Sequence, residues 1–296
     1  MPLRMIVLAK QVPDTKHVVG EVMKPDGTVN RGALAAIFNP EDLNALELGL
    51  QLKERYGGEV ILMTMGPPRA VEILQDALCR GADRVILLSD RRFAASDTLA
   101  TSYTIAQAIT TRLVPYDMVL CGRQAIDGDT AQVGPQVADK LGISQVTFAE
   151  AVLDYQDGKF RIQRDLGRTQ ETVEVSAPVL LTVRRTANSP RWPSARLLLK
   201  YRRARCAFDI EKEAQRQDRS VDEVLASLRE KGLFIETWGA EDIQAELARI
   251  GITGSPTKVK KIDNVVLAGL NLRLFRGDDA GVRQLVNELV EERTFG

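Results

Sequence analysis

Strand-like and helix-like segments alternate through the first half of this chain, and this alternation constrains the fold more than any other feature. Short runs dominated by apolar residues lie at residues 4–9, 59–65, 84–88 and 117–121. Such runs are typical of strands buried on both faces between layers of helices. Helical patterns lie between and after them, at residues 41–56, 68–80, 97–113 and 130–141. This order predicts an α/β fold, a doubly wound parallel sheet with helices on both faces.

The pattern changes after residue 142. Short strands are predicted at residues 145–153, 159–164, 170–176 and 179–184, with a hairpin around Asp157-Gly158. Helices are predicted at residues 209–231, 240–250 and 279–293. We therefore expect an α/β nucleotide-binding domain at 1–205, which includes a basic segment at 184–205, and a helical extension with a C-terminal arm at 206–296.

Composition disfavours several classes of function. The chain has 296 residues, with 40 Lys and Arg against 40 Asp and Glu, and this balance argues against a nucleic-acid-binding protein. The single histidine, His17, disfavours a Ser-His-Asp triad. Without a CxxC pair among the three cysteines, no disulfide framework and no metal site is expected. No targeting segment and no membrane span is predicted, so we expect a cytoplasmic protein.

Ligands of open α/β sheets bind at the carboxyl ends of the strands, where this sequence places polar loops. The most informative of these loops runs from Asp127 to Pro135, with small residues where a helix begins. Its free N–H groups are suited to a phosphate, with Gly128 and Gly134 permitting close approach. The alternative is that Asp129 is only a helix N-cap and Gly128 a turn residue. Neither GxGxxG nor GxxxxGK[ST] is present, which disfavours the usual dinucleotide fold and a P-loop NTPase.

Several stretches together resemble the β subunits of electron transfer flavoproteins, over nearly the whole chain. They are residues 7–15, 38–40, 80–83, 121–135, 178–183 and 254–257, of which 121–135 is the longest and most specific. The resemblance implies a heterodimer with an α subunit that holds one FAD. It also implies an adenine nucleotide on this chain, either a structural AMP or the adenosine half of a second FAD. The implied contacts are Ala9, Asn39, Asp42, Met65, Gly122, Arg123, Gln124, Asp127, Gly128, Thr130, Gln132, Val133 and Gly134.

Residues 65–68 and 89–102 resemble the electron-bifurcating branch of this family. That branch implies FAD on this chain, NADH as donor, and two acceptors. One acceptor is the α-subunit FAD, which serves an acyl-CoA dehydrogenase or a quinone oxidoreductase; the other is ferredoxin or flavodoxin. The further cofactor-binding residues implied are Gly66, Asp90, Arg91, Phe93, Ser96, Asp97, Thr98 and Thr101. No catalytic side chain and no metal is expected. A plain electron carrier with AMP and a non-redox adenine-nucleotide module remain as alternatives.

The basic segment 184–205 corresponds to the partner-recognition loop of this family, with residues 188–194 resembling its core. Positive charge with an exposed aromatic residue suits docking to an acidic surface. The anchor position falls at Ala195 or Arg196, with Leu197 nearby, and a solvated charged loop is the alternative. The helix predicted at 209–231 is longer than the family pattern, and residues 258–296 resemble the arm that packs on the α subunit.

Overall fold

The computed structural model describes residues 2–14, 35–257 and 274–291. The chain divides into two compact units, one formed by residues 1–18 and 34–260 and the other by 19–33 and 261–296. Residues 206–257 belong to the first unit, so this division differs from the boundary predicted at residue 205.

Strands and helices alternate as predicted in the first half of the chain. The strands are β1 Leu3–Ala9, β2 Gln11–Pro13, β3 Ala36–Phe38, β4 Gly58–Met65, β5 Arg84–Leu88, β6 Met118–Gly122, β7 Ser144–Gln156, β8 Lys159–Asp165, β9 Gln170–Ser176, β10 Val179–Val183, β11 Arg205–Cys206 and β12 Phe234–Trp238. The helices are α1 Pro40–Tyr56, α2 Val71–Arg80, α3 Thr98–Arg112, α4 Val133–Leu141, α5 Ala195–Tyr201, α6 Ile210–Gln217, α7 Val221–Glu230 and α8 Asp279–Glu291.

A ten-stranded sheet organises the first unit, in the order β11-β12-β5-β4-β1-β6-β10-β7-β8-β9. The strands from β11 to β7 pair in parallel, whereas β7, β8 and β9 form an antiparallel extension. Asp157 and Gly158 both have positive φ at the β7–β8 turn, as a tight hairpin turn requires. The predicted α/β fold and the predicted hairpin are confirmed.

Helices cover both faces of this sheet, which explains why its central strands are mostly apolar. Met5 and Val7 of β1 pack into the cluster formed with α1 and α2. Ile6 and Leu8 point the other way, into the cluster formed with α3 and α4. Because side chains alternate along a strand, a strand buried on both faces has no polar period.

Two predicted helices differ from the structure. The segment 209–231 forms two helices, because Asp218 takes a left-handed conformation (φ 49°) and Ser220 starts α7 with a capping box. Residues 240–250 form turns, with only a short 3₁₀ turn at Leu247–Arg249. The final helix, predicted at 279–293, is confirmed as α8.

The site is positioned by a change in the direction of winding at β1. The connection through α1 takes the chain from β1 to β4 on one side, and the connection through α3 leads to β6 on the other side. The carboxyl ends of β1 and β6 therefore border a crevice at the topological switch point, the usual place for a ligand in this class of fold.

Candidate functional site

A cavity of about 1330 Å³ opens at this carboxyl edge of the sheet. Its walls come from the loops that follow β1, β4, β5 and β6. All of the residues predicted to bind a cofactor line it, except Asn39 and Asp127. The loops predicted to bind a cofactor therefore meet at this cavity.

Asp42, in the first turn of α1, joins the two strands that border the crevice. Its Oδ2 accepts the backbone N–H of Lys10, which follows β1, at 2.9 Å, and its Oδ1 accepts that of Gly122, at the end of β6, also at 2.9 Å. Burial raises the pKa of Asp42 to about 7, although these two hydrogen bonds favour the charged form. Both oxygens of this carboxyl group are engaged by the protein.

Two neighbours of Asp42 hold the loop that follows β6. The Asn39 Nδ2 donates to the carbonyl of Gln124 at 2.9 Å, while its Oδ1 accepts the N–H of Ile126 at 3.2 Å. Glu41 accepts the N–H of Gln124 at 2.9 Å and pairs with the Arg123 guanidinium at 3.3 Å. We call Asn39, Glu41 and Asp42 the α1 clamp. The family resemblance implies a nucleotide contact at Asn39, but Asn39 is fully buried and does not line the cavity.

Asp127 is paired with Lys10 across the rim of the cavity. Its carboxylate lies 2.7 Å from the Lys10 ammonium, and Lys10 itself lines the cavity. Lys10 is not among the residues predicted to bind a cofactor. The predicted contact Asp127 thus holds a neighbouring cation rather than facing the cavity.

The loop from Gly128 to Gln132 has a conformation suited to an anion. Asp129 and Ala131 have φ values of 49° and 52°, separated by Thr130, and alternation of this kind turns successive N–H groups toward one concave surface. None of the backbone N–H groups of residues 130–134 has an acceptor within the described residues. The first N–H groups of any helix have no acceptor within the helix itself. The first N–H groups of α4 are therefore among the free donors of residues 130–134.

The start of the helix differs from the prediction. The helix begins at Val133 rather than at 130, with Gln132 at its N-cap, so Asp129 is not the cap. Packing requires a glycine at 134, since an added Cβ would lie 2.7 Å from the Sγ of Cys121. Gly128 lies in open space at the cavity wall, and the close approach of a phosphate to these two glycines stays a prediction.

The opposite wall is formed by the loop after β5, where two of the predicted carboxylates are bound by the protein. The Arg92 guanidinium holds the pKa of Asp90 well below its ordinary value. Asp90 also accepts the N–H of Ala240 at 3.0 Å. Asp97 caps α3 by accepting the N–H of Ala100 at 3.0 Å.

A distant segment, residues 251–257, is fastened to this same wall; we call it the strap. Ser96 Oγ accepts the N–H of Gly251 at 3.1 Å, and the N–H of Asp97 donates to Ser255 Oγ at 2.8 Å. The second Asp97 oxygen accepts the N–H of Thr257 at 3.0 Å. Burial opposes ionisation of Asp97, but its backbone hydrogen bonds keep the pKa below the ordinary value. Ser96 and Asp97 therefore position the strap.

Other polar groups of the cavity remain available to a ligand. Thr98 Oγ1 donates to Gln132 Oε1 at 3.0 Å, which leaves the Nε2 of Gln132 without an acceptor among the described residues. Thr101, whose hydroxyl has no hydrogen-bond partner there, also lines the cavity. Arg91 is exposed and has no ion-pair partner in the described part of the chain.

The structure adds wall residues that the sequence analysis did not select as cofactor contacts. Phe208, which is 48% exposed, and Thr257 reach the cavity from segments far along the chain. No sequence signal near the strand-end loops predicts them. The pairing of β11 and β12 with the edge of the sheet brings Phe208 close, and the hydrogen bond of the strap to Asp97 brings Thr257 close. Pro67 and Pro68 also line the cavity, directly after β4.

The predicted partner-recognition segment 184–205 is ordered against α1. Arg191 pairs with Glu47 at 2.8 Å and with Glu54 at 2.5 Å, and Asn44 Nδ2 donates to the carbonyl of Asn188 at 2.7 Å. Trp192 is 89% exposed beside these contacts. The segment continues into α5, where Ala195 and Arg196 are exposed and Leu197 is half-buried, while Leu198 and Leu199 are also exposed.

Comparisons with known proteins agree on one family. A family model described as "Electron transfer flavoprotein domain" matches residues 26–217. The electron transfer flavoprotein subunit beta of Clostridium acetobutylicum is 40% identical over 290 residues, 98% of this chain and 99% of that protein. The acryloyl-CoA reductase electron transfer subunit gamma of Anaerotignum propionicum is 37% identical over 296 residues, 99% and 100% of the two chains.

A third relative is named as a subunit of a larger assembly. The caffeyl-CoA reductase-Etf complex subunit CarD of Acetobacterium woodii is 47% identical over 193 residues, 65% of this chain and 72% of that protein. Across the described ranges, no helix is long and apolar enough to cross a membrane. With a family model over most of its length and relatives of this identity over nearly all of it, the chain belongs to the electron transfer flavoprotein family, among the β subunits.

Proposed function

We propose that this chain forms a heterodimer with an α subunit, binds FAD in the cavity and accepts a hydride from NADH. The two electrons of the hydride then separate. One passes to the FAD of the α subunit, which serves an acyl-CoA dehydrogenase or a quinone oxidoreductase, and the other to ferredoxin or flavodoxin. The observation that carries this proposal is the continuity of the cavity from residues 122–134 to the opposite wall at 89–98.

The size and lining of the cavity fit a dinucleotide. Ligand pockets usually span roughly 300–1,000 Å³, and a volume of about 1330 Å³ exceeds what a mononucleotide needs. The free N–H groups at residues 130–134 suit a phosphate group. On the opposite wall, the small side chains of Ala94 and Ala95 leave space for a flat ring, and the unpaired Arg91 supplies positive charge.

Bound FAD would supply both hydride acceptance and one-electron transfer. The chain's residues bind and orient it. Thr98 fixes the side-chain amide of Gln132, so that its Nε2 is directed by the protein before the ligand arrives. Met65 and the buried Phe93 contribute apolar surface that excludes water. No side chain needs to act as a nucleophile in this account.

The names of the relatives and two surfaces of this chain support the proposed partners. Relatives are named for acryloyl-CoA and caffeyl-CoA reductases, which suits a partner that acts on an acyl-CoA. Trp192, Leu198 and Leu199 present exposed apolar area in the basic segment. Within the predicted arm, α8 exposes a stripe at Val282, Leu285, Val286 and Val290, which suits docking on the α subunit. Residues 258–273 and 292–296 of the arm lie outside the described residues.

A bulky substitution on the far wall separates FAD binding from AMP binding. In Ala94→Trp, the added indole fills the space proposed for the ring, so FAD affinity should fall at least ten-fold while AMP affinity stays within two-fold. Thr130→Trp is the converse control, because it obstructs the phosphate loop and should weaken both ligands. Calorimetry on the nucleotide-stripped full chain measures both. Equal losses of FAD and AMP in Ala94→Trp would contradict the placement of the ring.

A further inference from the structure

We propose that Asn39 is a positioning residue, which holds the loop 122–127 from behind and sets the geometry of the phosphate-binding loop without contacting the ligand, and that Asp42, which lines the cavity, fixes the strand ends on which this loop stands. This inference rests on the proposed function, because it concerns how the same site binds a nucleotide. It assigns Asn39 a role different from that of a ligand contact.

Asn39 carries the first part of the argument. Its side chain is 0% exposed, lies outside the cavity wall, and makes a donor and an acceptor hydrogen bond to the backbone of one loop, at Gln124 and Ile126. It also hydrogen-bonds the Asp42 carboxyl group, so Asn39 acts on the site through the loop and through its neighbour in the clamp. A smaller side chain would leave a half-buried carbonyl and a half-buried N–H group without partners.

Asp42 carries the second part. Its two oxygens are divided between the strand ends at Lys10 and Gly122, so it fixes the width of the crevice at the switch point. The backbone of Gly122 approaches so closely that a Cβ there would lie 2.5 Å from Asp42 Oδ1 and 2.7 Å from the carbonyl carbon of Glu41. Clamp and loop are thus in direct contact with no free space between them.

The position of the clamp explains why the loop depends on it. The phosphate-binding loop begins directly after residue 127, and its open part, from Gly128 to Gln132, is exposed. At the rim, the loop is also held by the Lys10–Asp127 pair, whose lysine side chain is 49% exposed, and by the exposed hydrogen bonds Thr98–Gln132 and Gln124–Asp129. Exposed ion pairs contribute little. The buried hydrogen bonds of the clamp therefore set where the N–H groups of residues 130–134 point.

The test compares Asn39→Ala and Asn39→Asp with a matched control on the same helix, Glu47→Gln. Glu47 is also buried, but it holds Arg191 of a different segment. Calorimetry on the nucleotide-stripped full chain measures AMP affinity, and hydrogen–deuterium exchange measures protection of the amides at 122–134. Asn39→Ala should bind AMP at least ten-fold more weakly and exchange these amides faster. Asn39→Asp, which keeps an acceptor for Ile126, should fall between, and Glu47→Gln should match wild type in both.

Two results would overturn the proposal. One is AMP affinity within two-fold of wild type in both Asn39 variants; the other is weakened binding with unchanged exchange at 122–134, which would make Asn39 a direct contact. Should Asn39→Ala fail to fold, Asn39→Asp carries the same comparison. If wild type binds neither AMP nor FAD, the proposed function fails, whereas the exchange comparison still decides whether the clamp holds the loop.

Discussion

Asp42 is subject to two opposing effects, burial away from water and hydrogen bonding to two backbone N–H groups. Burial dominates and raises the pKa to about 7, well above the ordinary value for an aspartate. The folded protein therefore holds one proton more than the unfolded chain between about pH 4 and pH 7. Stability from this group is greatest at low pH and is lost as the pH rises through 7.

Replacing Asp42 by Asn removes this titration. The difference in free energy of unfolding between wild type and Asp42→Asn should fall as the pH rises from 5 to 7, by at most about 1.4 kcal/mol per pH unit, and level off above 8. Urea denaturation at each pH measures it. Parallel profiles for the two proteins would show that Asp42 does not titrate in this range.

Gly122 is expected to tolerate no side chain, because the backbone of α1 lies where its Cβ would be. Gly122→Ala should lower the free energy of unfolding by about 1–3 kcal/mol, the usual cost of overpacking. Gly128→Ala is the control, since a Cβ there meets no atom within 4 Å, and it should change stability by less than about 0.5 kcal/mol. Equal effects in the two variants, again by urea denaturation, would be inconsistent with this packing.

Residue identities alone predict the lining of the cavity better than they predict what each side chain does. Asp90 and Asp97 were assigned to the cofactor from the sequence, and both line the cavity, yet their carboxylates bind Ala240 and Thr257. Those partners lie 150 and 160 residues away along the chain, so no local pattern reveals them. The spacing of strands and helices in the sequence indicates which loops lie together. Which side chains pair within those loops depends on the assembled fold.

The strap shows how one segment completes a wall formed by another. Ser255 is 3% exposed, accepts the N–H of Asp97 and donates to the carbonyl of Gly251 at 2.7 Å. Ser255→Ala should therefore cost about 1 kcal/mol in free energy of unfolding, because it leaves the half-buried N–H group of Asp97 without its acceptor.

The control for Ser255→Ala is Ser176→Ala, at an exposed position of the edge strand β9, which should be close to neutral. Urea denaturation compares the two variants. A loss of similar size at both positions would show that the hydrogen bonds of Ser255 do not anchor the strap.

The sequence predicts helices and strands correctly where the apolar periodicity is long. The prediction fails where turn-forming residues interrupt a segment that is otherwise periodic. The charged segment 209–231 has a helical period throughout, but the left-handed Asp218 and the capping box of Ser220 and Glu223 divide it. That S-x-x-E signal is present in the sequence and marks the start of the second helix, which the prediction of one continuous helix does not include. By contrast, the pattern at 240–250 forms only turns, because the segment packs its apolar side chains against α3 without continuing a helix.

The fold as a whole was predictable because strands buried on both faces and the helices between them leave few alternatives. The order of the sheet beyond β5 was not, since β11 and β12 return to that edge from far along the chain. This return brings Phe208 to the cavity. The doubly wound sheet thus determines where the ligand site lies. The segments after residue 205 determine how far the wall of the cavity extends.

The cofactor content of the purified αβ complex tests the central claim most directly. Extraction followed by chromatographic quantification of FAD and AMP gives the number of each per complex. We expect two FAD and no AMP per complex, with the second FAD assigned to the cavity by its loss in Ala94→Trp. One FAD and one AMP per complex would contradict the proposed function and leave an electron carrier with a structural mononucleotide.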